Sequence, residues 1–387
     1  MSVPADQIAT VTVSATAQRV RAPRALVKLG GFGAGDIVPG WISWSVSSNT
    51  FYEADSFRIE FATSALPSSN DANWFSTQRE LFAEIFAGFP SDPQNPQLSE
   101  LQSLIYGRVD EIEYDPAQRL ITLTGRDLTA VFIDNKIASQ YTNQTSSDIA
   151  LTLAALHNLN ATVAPTQTKV GTYYEQDQVQ LQANRSEWDL LAYLARREGF
   201  VVYVQGTTLF FQPDPTNTNE PYEIGWIAPD VATQAPISDA LEIKFSRALT
   251  VAKGVAVTAR SANFDAGRPI VQSYPSSAKT IQAGKASPFG EVQNYFFTMA
   301  PGHSALEVEA FAKAQYDAIV AHEMKLSARL IADNVLTTQI PIRIRGTGTA
   351  FDQIYYARKI EREMSLDEGY VMSVEAQNVN PDSSPQS

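Results

Sequence analysis

His157, His303 and His322 are the only imidazoles in the chain, and there is no cysteine. A metal site assembled from thiolate, imidazole and carboxylate at ligand spacing has little to draw on. His322-Glu323 opens like the H-E-x-x-H helix of a zinc peptidase, but Leu326 stands where the second ligand is due. A capping or solvated role accounts for each histidine. The sequence holds no Gly-x-Ser-x-Gly elbow, and His303 beside Ser304 leads into a capping box, Ser304-Ala305-Leu306-Glu307. Asp110, Glu111 and Glu113 are the acidic candidates for a glycosidase-type pair, whose partner need not be near in sequence; their run reads as the solvated face of a strand. Gly30, Gly31, Gly33 and Gly35 would cradle a phosphate only between a strand and a helix, whereas Asp36-Ile37-Val38-Pro39-Gly40 continues as a turn. Arg343 and Arg345, and Arg358 with Arg362 on one face of the next strand, suit a charged contact with another protein or an ordinary solvated sheet. No residue is assigned as catalytic, cofactor-binding or metal-ligating, and no cofactor is expected.

The composition points the same way. A net charge of −13 argues against a surface that grips nucleic acid or anionic lipid, because both need clustered Lys and Arg to displace counterions. The 387 residues suit two to four domains, and 44% apolar with 18% charged residues is a globular balance. The absence of cysteine fits synthesis in a reducing cytoplasm. The first residues lack a basic n-region and an apolar h-region, and no run of about 18 apolar residues is present to span a bilayer.

The elements that must position these residues are mostly strands. Val11 and Val13, then Ala25 to Val27, read as strands before the glycine cluster. Trp41 to Val46 and Phe57 to Phe61 read as an antiparallel pair, with Phe57, Ile59 and Phe61 on one face and Arg58 and Glu60 on the other. Phe82, Ile85, Phe86 and Phe89 have helical spacing within 73 to 88, stopped by Pro90, Pro93 and Pro96. Ile105 to Tyr114 and Leu120 to Thr124 flank Asp115-Pro116-Ala117-Gln118, a hairpin turn. From residue 138 to 215 the pattern changes to α+β. Thr145 or Ser146 caps one helix, Ser186 starts another ended by Gly199, and Gln205-Gly206-Thr207 joins two strands. Residues 214 to 221 form a linker, after which strands return: Leu241, Ile243 and Phe245 alternate with Glu242, Lys244 and Ser246, and Val255, Val257 and Ala259 follow. The Ser304 capping box begins a helix running to about Leu326. Ile340 to Ile344, Tyr356 to Met364 and Tyr370 to Ala376 close the chain, and NPDSSPQS at its end reads as disordered. Strands, an amphipathic helix and more strands occur in both β-rich parts (helices 73 to 88 and 304 to 326), which reads as a diverged duplication around the α+β module.

Several of these stretches resemble the baseplate hub proteins of contractile phage tails, the late control protein D family. They are GWISWSVSSNTFYEADSFRIEF with its Ala54, Asp55, Phe57 step; GRVDEIEYD followed by RLITLTGRDLTAVFIDNKI; NRSEWDLLAYLARREGFVVYVQGTTLFFQP; and the closing helix and strands from 298 to 378. The region 264 to 297, with its Asn-Phe-Asp-Ala-Gly turn, is matched less easily. The resemblance implies an α+β, mainly β, chain of two diverged antiparallel, tail-tube-like β-barrels with a small inserted α+β domain. The implied division is 1–137 for the first barrel, with a helix-containing insertion 64–103, and 138–215 for the α+β domain. Residues 216–303 and 327–379 would form the second barrel, with helix 304–326, and 380–387 a disordered tail. It implies a non-enzymatic virion protein of the tail baseplate, made in the bacterial host cytoplasm: a homotrimeric ring that joins the central spike to the tail tube or tube-initiator proteins, touches the surrounding wedge proteins, and passes DNA through its channel without specific nucleic-acid binding or membrane insertion. Two barrels taken three times give pseudo-sixfold symmetry, which would match a threefold spike to a sixfold tube. An acidic channel wall would let DNA slide. The alternatives are a tail-associated peptidoglycan-degrading enzyme and a host-glycan-binding adhesin.

Overall fold

The computed structural model describes residues 22–136, 141, 144–167, 186–216, 219–229, 236–249, 255–262, 268–275, 293–299, 301–320 and 323–378. The expected strands at Val11 and Val13, the turn at 263–267, His322 and the tail 380–387 lie outside them.

The first half contains β1 (Arg24–Gly30), β2 (Asp36–Ile37), β3 (Trp41–Asn49), β4 (Ser56–Ala62), α1 (Ala72–Thr77), β5 (Phe82–Gly88), β6 (Gln102–Asp115) and β7 (Leu120–Asp127). Side-chain alternation is clear in β4, where Phe57, Ile59 and Phe61 are buried and Arg58 is exposed. The β6–β7 turn is held as its sequence predicts: the Asp115 carboxylate accepts the N–H groups of Ala117 (2.8 Å) and Gln118 (2.9 Å). The helix expected over 73 to 88 is a correction. Only Ala72–Thr77 is helical, and β5 pairs antiparallel with β1 and β6. The helical spacing arises because β5 is covered on both faces: Ala83, Ile85 and Ala87 enter the main core, while Phe82 packs into a second one. A strand buried on both sides loses its two-residue alternation.

The chain then enters the α+β module through α2 (Thr129–Asp134), followed by α3 (Ser146–Leu156), β8 (Asn160–Val163), α4 (Glu187–Glu198), β9 (Phe200–Gln205) and β10 (Thr208–Pro213). Thr145 caps α3 by accepting the Asp148 N–H, Ser186 caps α4 through Asp189, and Gly199 ends α4 at φ +70°. β8, β10 and β9 form a three-stranded sheet, and Ile149, Leu153, Trp188, Leu191, Phe132 and Phe211 fill the module's own core.

The second half returns with β11 (Tyr222–Ile227), β12 (Ile237–Ser238) and β13 (Ala240–Arg247). After these come β14 (Val255–Ser261), β15 (Ile270–Tyr274), β16 (Gln293–Thr298) and α5 (Ala305–Val320). The last four strands are β17 (Met324–Ile331), β18 (Pro341–Arg345), β19 (Ile354–Ser365) and β20 (Gly369–Gln377). α5 stops at Val320 and not at Leu326, because Met324, Leu326, Ala328 and Leu330 alternate into the main core as a strand. Residues 255 to 320 also depart from the expected second barrel. β15, β14 and β16 form a separate three-stranded sheet, and Val257, Ala259, Val308 and Ala312 enclose a third core between it and α5.

The two β-rich halves are one sheet. Fourteen strands connect in the order β12-β11-β18-β19-β3-β4-β7-β6-β5-β1-β2, with β20, β17 and β13 continuing from the other edge of β19. The joint is the antiparallel pairing of β3 with β19, where Trp44 faces Met364 and Val46 faces Arg362. β18 uses the same edge of β19 further along, at Ile354 to Tyr356. One hydrophobic core runs from Val27 and Ile59 to Ile360 and Val374. The mainly-β, α+β class holds, but the sheet is open and does not close into two barrels.

Candidate functional site

The structure scatters the residues with chemical potential. His157 Nε2 lies 2.5 Å from Glu187 Oε2 inside the α+β module, with its ring edge on Phe132. His303 precedes α5, whose capping box forms as predicted: the Ser304 N–H donates to Glu307 Oε2 at 2.7 Å. Among the described residues no group of three His, Asp or Glu side chains stands close enough to hold a metal ion. Asp110 is the extra residue of a β-bulge in β6 and meets Arg126 Nε at 2.6 Å, while Glu111 and Glu113 are exposed. The glycine cluster is a tight β1–β2 connection in which Gly33 takes φ +69° and donates its N–H to the Tyr106 hydroxyl. Arg343 and Arg345 both reach Glu223 across the parallel β11–β18 pair, at 3.3 and 3.1 Å.

Arg358 and Arg362 do not share a face. A bulge between Ala357 and Lys359 inverts the alternation of β19, leaving Arg358 exposed and burying Arg362 to 5% exposure. A bulge between Ala240 and Glu242 similarly turns Leu241 outward, away from Ile243 and Phe245.

Arg362 leads to the most unusual environment in the molecule, the neck between the large sheet and the α+β module. The β3–β4 turn reaches into the module. Tyr52 takes φ +76°, donates its N–H to the Val202 carbonyl (3.2 Å) and its hydroxyl to the Phe200 carbonyl (2.5 Å), and its own carbonyl accepts the Trp188 Nε1–H (2.9 Å). The Arg196 guanidinium lies 4.6 Å above the Tyr52 ring. At the base of this turn Asp55 stands opposite Asp127, one step beyond the Ser56–Arg126 pair of β4 and β7, and the Asp127 N–H donates to the Asp55 carbonyl at 2.9 Å. The Asp127 carboxylate, buried, accepts the Thr129 N–H (3.1 Å) and hydroxyl (3.0 Å). That of Asp55 accepts the Asn49 N–H at 2.7 Å.

Both aspartates border a 120 Å³ cavity that Arg362 enters from β19, its guanidinium donating to the carbonyls of Asp333 (3.0 Å) and Leu336. Removal from water pushes Asp55 up to about 7, against the opposing pull of the Asn49 N–H, the Ser48 hydroxyl and Arg362. Desolvation, reinforced by the charge of Asp55, pushes Asp127 up as well. Sequence reasoning missed this pair because Asp55 precedes β4 and Asp127 ends β7, so each reads as a turn or cap until β4 is known to pair with β7.

The other face of the sheet is polar and broad. Along β4, β3, β19, β20, β17 and β13 the outward positions carry six cations (Arg58, Lys244, Lys325, Arg329, Arg358, Lys359) and five carboxylates (Glu60, Glu242, Glu361, Glu363, Glu375). Several neighbours neutralise one another, as Arg58 does Glu60 at 2.9 Å and Lys359 does Glu361 at 2.8 Å. This face is therefore close to balanced, with one cation in excess, in a chain that carries −13. A groove of 550 Å³ crosses it between Lys244, Lys325, Arg358 and Glu375.

No protein-family model matches the chain, and no curated protein matches it in sequence. Solved structures do. The 43 kDa tail protein of prophage MuSo2 from Shewanella oneidensis is similar with a TM-score of 0.65 at 14% identity, over 94% of this chain and 99% of that one. The tail protein from Neisseria meningitidis MC58 is similar with a TM-score of 0.64 at 13% identity, over 94% and 99%. Prophage tail protein gp18 from Listeria monocytogenes EGD-e gives 0.52 at 11% identity, over 92% and 95%. The chain shares the fold of these phage tail proteins over more than nine tenths of its length.

Proposed function

We propose that the chain is a structural protein of a phage tail, working in the baseplate as a hub that forms a homotrimeric ring between a central spike and the tail tube. The observation that carries this reading is the extent of the shared fold: 94% of this chain superposes on 99% of each of two tail proteins, so the match includes both β halves and what is inserted between them. A sheet that runs unbroken through both halves suits a rigid adaptor, because its two ends cannot pivot independently about the β3–β19 joint. In this reading the balanced polar face lines the channel. It has few exposed apolar side chains to hold a passing polymer, and its six cations and five carboxylates leave little net field. The negative charge expected on a channel wall would then lie on other surfaces.

The enzymatic alternative gains no support from the opposed carboxylates of Asp55 and Asp127 in the neck. Their cavity of 120 Å³ is well below the roughly 300 Å³ at which small-molecule sites begin, and Thr129 occupies Asp127 from both sides. Immunogold labelling of intact tails tests the location: gold confined to the distal tip is expected, and label along the tube or absent from particles would refute it.

A further inference from the structure

The α+β module is tied to the sheet by the inserted β3–β4 turn, by the exit of the chain from β7 into α2, by its return through residues 214 to 221, and by the packing of Phe82 and Tyr106 against its core. Two of these ties carry an aspartate at their base, and the two aspartates face each other. Asp55 holds the foot of the turn whose tip, Tyr52, is bonded to Val202, Phe200 and Trp188. Asp127 is the last residue of β7 and fixes the first turn of α2 through Thr129.

We propose that Asp55 and Asp127 form a proton-controlled latch on the α+β module: while the two carboxyls hold their protons the turn stays seated, and losing them sets two like charges opposite each other and loosens the seat. Arg362 is the cation that faces the pair, and it is already committed to the carbonyls of Asp333 and Leu336, so it offsets one negative charge and not two. The remaining titratable groups around the cavity are Glu53, on the turn itself, and the phenols Tyr106 and Tyr203, which burial keeps protonated. None of them supplies a second positive charge.

The direction of the pH dependence follows. An aspartate whose folded pKa is raised stabilises the seated state fully below its ordinary value of about 3.9, and this stabilisation is lost as pH rises to the folded value. With Asp55 near 7 and Asp127 raised as well, the loss begins near pH 4 and continues past pH 7, until both carboxyls are ionised.

Hydrogen exchange of the full chain from pH 4.5 to 8, corrected for intrinsic exchange, reads this at the Tyr52 amide, which bonds Val202, with the amides of β20 as the internal reference. The opening constant at Tyr52 is expected to rise by about tenfold or more per pH unit between pH 5 and 7 and to go on rising more gently above pH 7, while β20 stays unchanged. The double variant D55N/D127N should give a flat profile with Tyr52 protected throughout. A flat wild-type profile, or a double variant that keeps the wild-type slope, overturns the latch. If the double variant does not fold, D127N alone decides. With only Asp55 left to titrate, the rise at Tyr52 must become shallower and stop near pH 7, and an unchanged profile overturns the proposal.

Discussion

Phe57 packs its ring over two glycines, and the strands beneath it have no room for anything else. A Cβ on Gly125 would stand 2.2 Å from the Arg108 carbonyl oxygen and 2.5 Å from Phe57, and one on Gly107 would stand 2.2 Å from the Arg126 carbonyl oxygen. These are close approaches of backbone and ring, so neither contact can give way by a rotamer change. Gly125→Ala is therefore expected to cost about 1–3 kcal/mol, read as a lower urea midpoint with an unchanged slope. Arg362 is the second residue on which the neighbourhood depends. Its guanidinium closes the 333–336 loop and is the positive charge beside Asp55 and Asp127. Arg362→Ala leaves carbonyls unpaired and buried carboxyls uncompensated, a loss of roughly 3–5 kcal/mol. Because that loss includes the charge term, it should be smaller at pH 5 than at pH 8 in the same urea titration; an equal loss at both values would show that Arg362 acts through its carbonyl bonds alone.

Among the elements, β3 and β19 matter most, because their pairing makes two β-rich halves into one sheet with one core. Met372 in β20 is fully buried in that core. Met372→Ala, expected to cost about 2–5 kcal/mol, should lower exchange protection in β4 of the first half as much as in β20, since both belong to one cooperative unit. Loss confined to the second half would mean that the joint does not couple them.

The sequence made much of this legible. Turn chemistry at Asp115, the caps at Thr145, Ser186 and Ser304, the left-handed Gly199 and the alternation of β4 and β20 are local rules, and the chain obeys them. What escaped has a common physical cause. Bulges in β6, β13 and β19 insert one residue and invert every side chain beyond it, which hid the burial of Arg362, the exposure of Leu241 and the role of Asp110. β5, buried on both faces, imitated a helix. The Asp55–Asp127 pair depends on which strands become neighbours, a fact that local pattern does not contain.

For the whole molecule, the proposal of an assembly part rests on the fold shared with phage tail proteins and on the single sheet that joins both halves. The broad outer face is close to balanced, so the −13 comes from the rest of the chain. At that scale the account stands or falls on whether copies of the chain close into a ring. The measurement is the solution mass of the purified full chain by light scattering, alone and with its co-expressed spike. A particle containing three copies of the chain, in at least the co-expressed sample, is the predicted result. A stable monomer both alone and in the presence of the spike would contradict the hub.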